Sequence, residues 1–308
     1  MRIAHVIWCL RTGGSECLTI DLANAQSRSD QVSVLVVNDD ADTTLTAALE
    51  PQVRLVRIGR RPGDVAVWPF VRLNALILSL RPHVLHFHNA SLASVIGVPV
   101  RKHVLTLHHS YTSSDHLRRF DTVVAISEGV RQSLPVNRCG SVSVVHNGIA
   151  FQRIRVRETP PRRIQRIVQI GNLNHNVKGQ DVLLRAIAKL GDAFTGTVDF
   201  IGGGASPEFL RGLATELNLL KRVRFLGVMP RSYVYENLQR YDLLVHPARS
   251  EGFGLVIAEA MGAGVPILTS SLAGPMEVIG SGRHGFHFTP GNVEECAQSL
   301  SELSRRVQ

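Results

Sequence analysis

Short apolar, β-branched runs alternate along this chain with stretches of helical spacing, and they do so twice. In the first half "RIAHVIWC", "QVSVLVV", "VRLVRI", "HVLHFH", "HVLTLH", "TVVAIS" and "VSVVHN" read as strands. "SECLTIDLANAQS" and "DVAVWPFVRLNALILSL" lie between them with helical spacing. The pattern restarts with "QRIVQIG", "TVDFIG", "VRFLG", "DLLVHP" and "VPILTS", around helices at "QDVLLRAIAKL" and "SPEFLRGLATELNLL". Near-continuous apolar strands separated by helices predict parallel sheets covered on both faces. Between the halves, "FQRIRVRETPPRR" is polar, basic and broken by Pro-Pro, so 151–163 reads as a linker. The expectation is an α/β chain of two doubly wound, Rossmann-like domains, 1–150 and 164–308. At 308 residues, 44% of them hydrophobic, the chain can fill both cores. Ligands of such sheets bind outside the carboxyl ends of the strands, and two such domains facing each other would enclose a cleft.

The most informative stretch is "SEGFGLVIAEAMGAGVPILTS", Ser250 to Ser270. It follows a buried strand, Asp242–Pro247, and opens a helix from about Gly254 to Ala263 that Gly264 stops. A helix N-terminus carries free N–H groups and positive dipole, which favour a phosphate. Gly252 and Gly254 admit a ligand close to the backbone. Ala258, Ala260, Gly262 and Ala263 let the helix lie close to the sheet. Glu251 in the loop and Glu259 one turn into the helix only accept hydrogen bonds, which suits vicinal hydroxyls. A phosphate flanked by hydroxyl-rich rings describes a nucleotide sugar.

These residues resemble the E-x7-E signature of the retaining glycosyltransferases of family four, which have the GT-B fold. The resemblance covers nearly the whole chain. It includes "RTGGSE" (Arg11–Glu16), "HFHN" (His86–Asn89), "TLHH" (Thr106–His109), "AISE" (Ala125–Glu128) and "HNGI" (His146–Ile149). "GNLNHNVKGQDVLLRAI", "IGGG" (Ile201–Gly204), "FLGVM" (Phe225–Met229) and "AGPMEVI" (Ala273–Ile279) follow in the family's order. The resemblance implies that Glu259 binds the donor ribose and that Glu251 meets the transferred sugar or its phosphates. It implies that Lys178 neutralises the diphosphate, as a point charge that follows the leaving group. Gly252, Phe253, Gly254 and Leu255 complete that side of the donor site, and Gly203 and Val228 line the base and ribose pocket. His108 matches the histidine near the transferred sugar; a histidine capping a strand end is its other reading. Gly13 and Gly14 open the first helix toward the donor, unless they form a generic βα turn. Arg11 and His88 fall on the acceptor side.

The chain departs from the family pattern at Asn172, which stands where the family has arginine; Arg11 or Arg249 would have to supply the missing charge. Family members also continue past the helix "EECAQSLSELSRRVQ", whereas this sequence ends at Gln308, so it is either truncated or unusually minimal, with weaker domain closure expected in the second case.

The expected reaction is transfer of a sugar, with retention, from a nucleotide sugar (a UDP-sugar by family habit) to a glycan or lipid-linked acceptor in surface polysaccharide synthesis. No cofactor and no metal are expected, with cationic groups and helix dipoles standing in for the ion. His86, His88, His108 and His109 could form a metal cluster by count, but no acid lies near them in sequence. A nucleotide-sugar epimerase of the same fold and a non-catalytic sugar-nucleotide-binding subunit are the alternatives.

Composition narrows the rest. No window reaches ~18 uninterrupted apolar residues, as a spanning helix requires. "MRIAHVIWCL" makes a poor signal peptide. Cys9, Cys17, Cys139 and Cys296 form no C-x-x-C pair, which fits reduced thiols and a cytoplasmic setting. Residues 1–157 hold 18 Lys/Arg against 11 Asp/Glu, or +7, while 158–308 hold 16 against 14, or +2. No nucleic-acid-binding motif accompanies the basic half, so no nucleic-acid partner is expected. Arg60, Arg61, Arg72 and Arg81 beside Trp68 and Phe70 suggest weak peripheral association with an anionic inner membrane face. The competing reading puts Trp68 and Phe70 in the core.

Overall fold

Each half builds one parallel sheet. The computed structural model describes residues 1–11, 13–110, 116–135 and 142–306. The first sheet comprises β1 (Arg2–Ile7), β2 (Gln31–Asn38), β3 (Arg54–Arg60), β4 (Val84–Phe87), β5 (Lys102–Leu107), β6 (Thr122–Ala125) and β7 (Val142–Val144). Its order is β3-β2-β1-β4-β5-β6-β7. Four helices accompany it among the described residues: α1 (Gly14–Gln26), α2 (Thr43–Ala47), α3 (Trp68–Leu80) and α4 (Glu128–Gln132).

The second sheet comprises β8 (Arg166–Ile170), β9 (Thr197–Ile201), β10 (Val223–Gly227), β11 (Leu243–His246), β12 (Ile267–Ser270) and β13 (Phe286–Phe288). Its order is β10-β9-β8-β11-β12-β13. The helices here are α5 (His175–Lys178), α6 (Gln180–Leu190), α7 (Pro207–Glu216), α8 (Arg231–Asn237), α9 (Leu255–Gly262), α10 (Ala273–Val278) and α11 (Val293–Arg306). Both units are thus doubly wound, Rossmann-like folds, with chain direction across the sheet reversing between β1 and β4 and between β8 and β11.

The second unit shows why its strands read as continuous apolar runs. Side chains alternate faces along a strand. Ile167, Leu243, Val245 and Leu268 bury against α6, α7 and α11, through Val182, Leu183, Leu210, Leu213 and Leu300. Their neighbours Val168, Leu244 and Ile267 bury on the other face against Val234, Ile257 and Ala260 of α8 and α9. The first unit packs Ile3, Ile7, Val32, Val34 and Val36 of β1 and β2 against Ile20 and Ala23 of α1.

Two expectations change here. The units divide as Met1–Gly148 and Ile149–Gln308, so 151–163 is not a free linker. Ile154 is buried in the second core. The Arg155 N–H donates to Tyr235 O at 3.0 Å and the Arg157 N–H to Ala263 O at 2.9 Å. Arg157 also pairs with Asp242 at 3.1 Å. Moving the boundary moves the charge: Met1–Gly148 holds 15 Lys/Arg against 11 Asp/Glu, or +4, and Ile149–Gln308 holds 19 against 14, or +5. The basic first half was an effect of counting Arg153, Arg155 and Arg157 with it.

Trp68 is not core either. It is 73% exposed on α3, next to Val65 at 93% and Val67 at 70%. Phe70 is partly buried, where Arg60 lies over its ring at 5.4 Å and over Trp8 at 5.6 Å. No described helix is long and apolar enough to cross a membrane. Cys9, Cys17 and Cys296 form no disulfide among the described residues, with burial pushing the Cys296 thiol up to about 12, and Cys139 lies outside the described residues.

Candidate functional site

The reversal between β8 and β11 positions the first cluster. The loop after β8 runs into α5, which ends at Lys178 and stops at Gly179 in the left-handed region, φ +64. A Cβ on Gly179 would stand 1.9 Å from Pro247 O, so only glycine lets the two loops touch. The loop after β11 is tied to α5 by the Arg249 and Ser250 N–H groups, which both donate to Val177 O. These contacts bring Lys178 Nζ to 2.7 Å from Glu251 Oε2, and His246 Nε2 donates to the same oxygen at 3.0 Å. Glu251 Oε1 accepts from the Gly252 N–H at 3.1 Å. Burial pushes this carboxyl up, but the His246 hydrogen bond and the Lys178 ammonium outweigh it and hold it well below the usual carboxylate range.

Gly252, Phe253 and Gly254 are buried beneath this cluster, and Gly254, at φ +95, turns the chain into α9 at the partly buried Leu255. Glu259 lies one turn further. It is buried and accepts from Arg231 Nη2 at 3.1 Å and from Tyr235 Oη at 3.3 Å. Each glutamate of the signature therefore meets a cation, Lys178 for Glu251 and Arg231 for Glu259.

A second group gathers at the ends of β8, β9 and β10. Asn172 is exposed, with its Oδ1 2.7 Å from where a Cβ on Gly204 would stand. A Cβ on Gly203 would meet Val228 Cγ2 at 2.8 Å, and Val228 is 55% exposed. Arg249 does not supply the charge missing at Asn172: it forks onto Asp181 at 2.7 and 2.8 Å. Arg11, in the first unit, pairs with Asp40.

In the first unit Gly13 caps α1 and Gly14 begins it, but the helix end already has an anion. Glu16 Oε2 lies 2.5 Å from where a Cβ on Gly13 would stand and accepts from Ser15 Oγ at 2.7 Å. Burial pushes this carboxyl up, against the Ser15 hydrogen bond. His108 follows β5, partly exposed, and its Nε2 lies 3.0 Å from His88 Nδ1. Burial, with His109 nearby, pulls His108 down to about 4. His88, expected to face the acceptor, is 3% exposed with both ring nitrogens engaged, by His108 and by His5. It supports His108 from behind.

Sequence reasoning missed His5, His246, Arg231 and Tyr235. His5 and His246 each interrupt or end an otherwise apolar strand, "RIAHVI" and "LLVH", which was the available signal. Arg231 and Tyr235 sit one turn apart in a short helix, with no local pattern pointing at Glu259.

The chain matches the family described as glycosyl transferases group 1 over residues 151–306, and that described as Glycosyltransferase Family 4 over 12–153. It is 27% identical over 198 residues to a D-inositol 3-phosphate glycosyltransferase of Mycobacterium marinum, covering 59% of this chain and 42% of that protein. It is 28% identical over 257 residues to a glycogen synthase of Mycobacterium tuberculosis, covering 73% and 61%. Against the first of these curated relatives the chain spans under half the length. Among solved structures, Anabaena HepE in complex with UDP-glucose superposes with TM-score 0.80 at 22% identity, covering 98% of this chain and 89% of that one. Sucrose-phosphate synthase from Thermosynechococcus elongatus gives 0.80 at 17%, covering 99% and 92%. At such identities the likeness shows the fold, the GT-B fold of two Rossmann-like domains.

Proposed function

The chain belongs to the group 1 glycosyl transferases, and on that footing we propose that it is a retaining hexosyltransferase using a nucleotide sugar. The observation that carries the reading is the Lys178–Glu251–His246 cluster at the β8/β11 reversal, directly before α9. A diphosphate beside Lys178 competes with Glu251 for the ammonium. The exchange frees a carboxylate, held ionised, to accept from a sugar hydroxyl. Lys178 then follows the charge that builds on the leaving phosphate, in a site that needs no divalent ion. Glu259 accepts from the ribose hydroxyls, and Gly203 and Val228 border the base. His108 accepts from a hydroxyl of the transferred sugar. The leaving phosphate takes the acceptor's proton on the face it departs from, which retains configuration.

The donor we propose is a UDP-sugar, in keeping with the UDP and UDP-glucose complexes of the Anabaena protein. The acceptor is a glycan or lipid-linked glycan of a surface polysaccharide, met at the cytoplasmic face of the membrane. The exposed Val65, Val67 and Trp68, with Arg61 and Arg72 nearby in sequence, support weak peripheral binding to anionic lipid. Co-sedimentation should occur with anionic but not neutral vesicles and vanish as salt rises; sedimentation with neither makes the acceptor soluble.

A thermal-shift screen of UDP-, GDP- and ADP-sugars tests the donor, because a ligand that binds only the folded chain raises its Tm. A shift with UDP-sugars, followed by transfer of the sugar rather than its epimerisation, is the expected result. No shift with any nucleotide sugar removes the reading.

A further inference from the structure

Three adjacent strands of the first unit present imidazoles on one face. His86 and His88 are two residues apart, as are Thr106 and His108, so each pair shares a face of the sheet. His5 pairs in register with His86 across β1 and β4. The result is a continuous line of hydrogen bonds. Gln26 Oε1, at the end of α1, is 2.8 Å from His5 Nε2. His5 Nδ1 is 3.0 Å from His88 Nε2, and His88 Nδ1 is 3.0 Å from His108 Nε2. His86 lies beside the line, stacked at 4.7 Å on His88 and 5.0 Å from His5, with its Nε2 2.8 Å from Thr106 Oγ1.

We propose that Gln26, His5 and His88 are positioning residues that lock His108 in the tautomer with a proton on Nε2 and a bare lone pair on Nδ1. A neutral imidazole has one donor and one acceptor nitrogen, so fixing one ring fixes the next. A carboxamide oxygen only accepts. His5 therefore donates from Nε2 and accepts at Nδ1, His88 donates from Nε2 and accepts at Nδ1, and His108 donates from Nε2. Burial, which disfavours the imidazolium, keeps the rings neutral: His5 and His108 are drawn down to about 4, and His88 well below its ordinary value. The line ends at an amide, which is no base, so it carries no net proton and acts by orientation alone.

His5, His86 and His88 each have a ring nitrogen within 4.8 Å of the others, close enough for a metal ion. His5 and His88, however, commit both nitrogens to the line. Most of the line lies within the first unit's interior: His5 is fully buried and His88 is 3% exposed. For its role in transfer, the inference rests on the reading of His108 as a sugar-contacting residue; for the tautomer itself, it does not. A bare Nδ1 can accept from a sugar hydroxyl, whereas the opposite tautomer would present an N–H there that can only donate to the hydroxyl oxygen, reversing the direction of the bond.

The test is 15N NMR of the full chain labelled at histidine, at neutral pH, where protonated and bare ring nitrogens resonate apart. The wild type should show His108 with Nε2 protonated and Nδ1 bare. Gln26→Met keeps side-chain length but removes the acceptor. It should give mixed tautomers at His5, His88 and His108, and a kcat about tenfold lower, with KM for the donor little changed, the low end of what an outer partner of an oriented imidazole contributes. Circular dichroism and thermal unfolding confirm that the variant folds. A His108 with bare Nε2, tautomers unchanged in Gln26→Met, or one stoichiometric zinc ion retained on dialysis would each overturn the proposal. The expected tautomers, scrambled by Gln26→Met without any change in transfer, would uphold the lock and remove instead the assignment of His108 to the sugar.

Discussion

The two units share a winding and nearly equal net charge, yet the carboxyl ends of their sheets carry opposite chemistries. At the β1/β4 reversal the polar groups are imidazoles, held neutral by burial and hydrogen-bonded to one another. At the β8/β11 reversal they are ion pairs, Lys178 with Glu251 and Arg249 with Asp181. Neutral rings serve uncharged hydroxyls. An ion pair can exchange one anion for another, as a diphosphate demands. Strand order alone does not assign a ligand; the proposed division of labour rests on the protonation state that each sheet end enforces.

Acid should separate the units most sharply. His5 and His108 titrate near 4 when folded and near 6.5 when unfolded, so between those values the unfolded chain binds more protons. Stability contributed by the neutral rings is complete above about pH 6.5 and is lost as pH falls toward 4, at about 1.4 kcal/mol per pH unit for each ring. Glu251 behaves differently. Its folded value lies well below that of a free carboxyl, so its contribution persists down to about pH 4 and is lost only beneath that. The first unit should therefore open first. Both tryptophans, Trp8 and Trp68, lie in it, so their fluorescence follows that unit alone, while hydrogen exchange follows both. Simultaneous opening at pH 5 would erase the contrast.

Charge exchange in the second unit predicts the largest effect on activity. Lys178→Ala should lower kcat by about 10²–10³-fold, the range for removing one donor from developing negative charge. Lys178→Arg should recover part of it. A loss below about threefold under saturating donor would mean that the pair is only structural. Glu259→Ala comes next. Losing charged hydrogen bonds of roughly 1.5–3 kcal/mol should weaken nucleotide binding at least ~10-fold in calorimetry. Unchanged affinity would leave Glu259 as a partner for Arg231 and Tyr235 and nothing more.

How much of this was legible follows from the range of each signal. The strands were readable because burial on both faces demands apolar residues at successive positions, as at Ile167 and Val168. β13 was not, since three residues carry no period. Glu251 and Glu259 stood out through the glycine turn between them. Their pairing did not: Lys178 was singled out on its own account but lies 73 residues from Glu251, and Arg231, which was missed, lies 28 from Glu259. The linker failed for a related reason, since Pro-Pro and arginines read as solvated until Ile154 and Arg157 find burial and partners in the second unit.

Asn172 offers a smaller, sharper test of the ion-pair end. Arg249 is fully engaged by Asp181 and His175 O, so no cation from that loop substitutes for the absent arginine. Asn172→Arg should raise turnover severalfold if the leaving phosphate passes there, with donor affinity little changed. A fall in turnover would show that the position is already filled, and would assign the phosphate to Lys178 and the α9 terminus alone.

The smallest expected effect is none at all. Among the described residues the one group spaced to hold a metal is His5–His86–His88, in the first unit and within the imidazole line. In the second unit the acids near the β8/β11 reversal already have cationic partners: Glu251 has Lys178, Glu259 has Arg231 and Asp181 has Arg249. A divalent ion at a diphosphate is usually held by one or two carboxylates together with the phosphates, and the one carboxylate that the proposed exchange frees, Glu251, is committed there to a sugar hydroxyl. Transfer measured in EDTA should therefore keep most of its rate. A collapse that Mg2+ restores would put a metal at the ion-pair end and remove Lys178 from its proposed role. A collapse that only Zn2+ restores would place the ion among the histidines, and the contrast between a neutral and a charged sheet end would no longer hold.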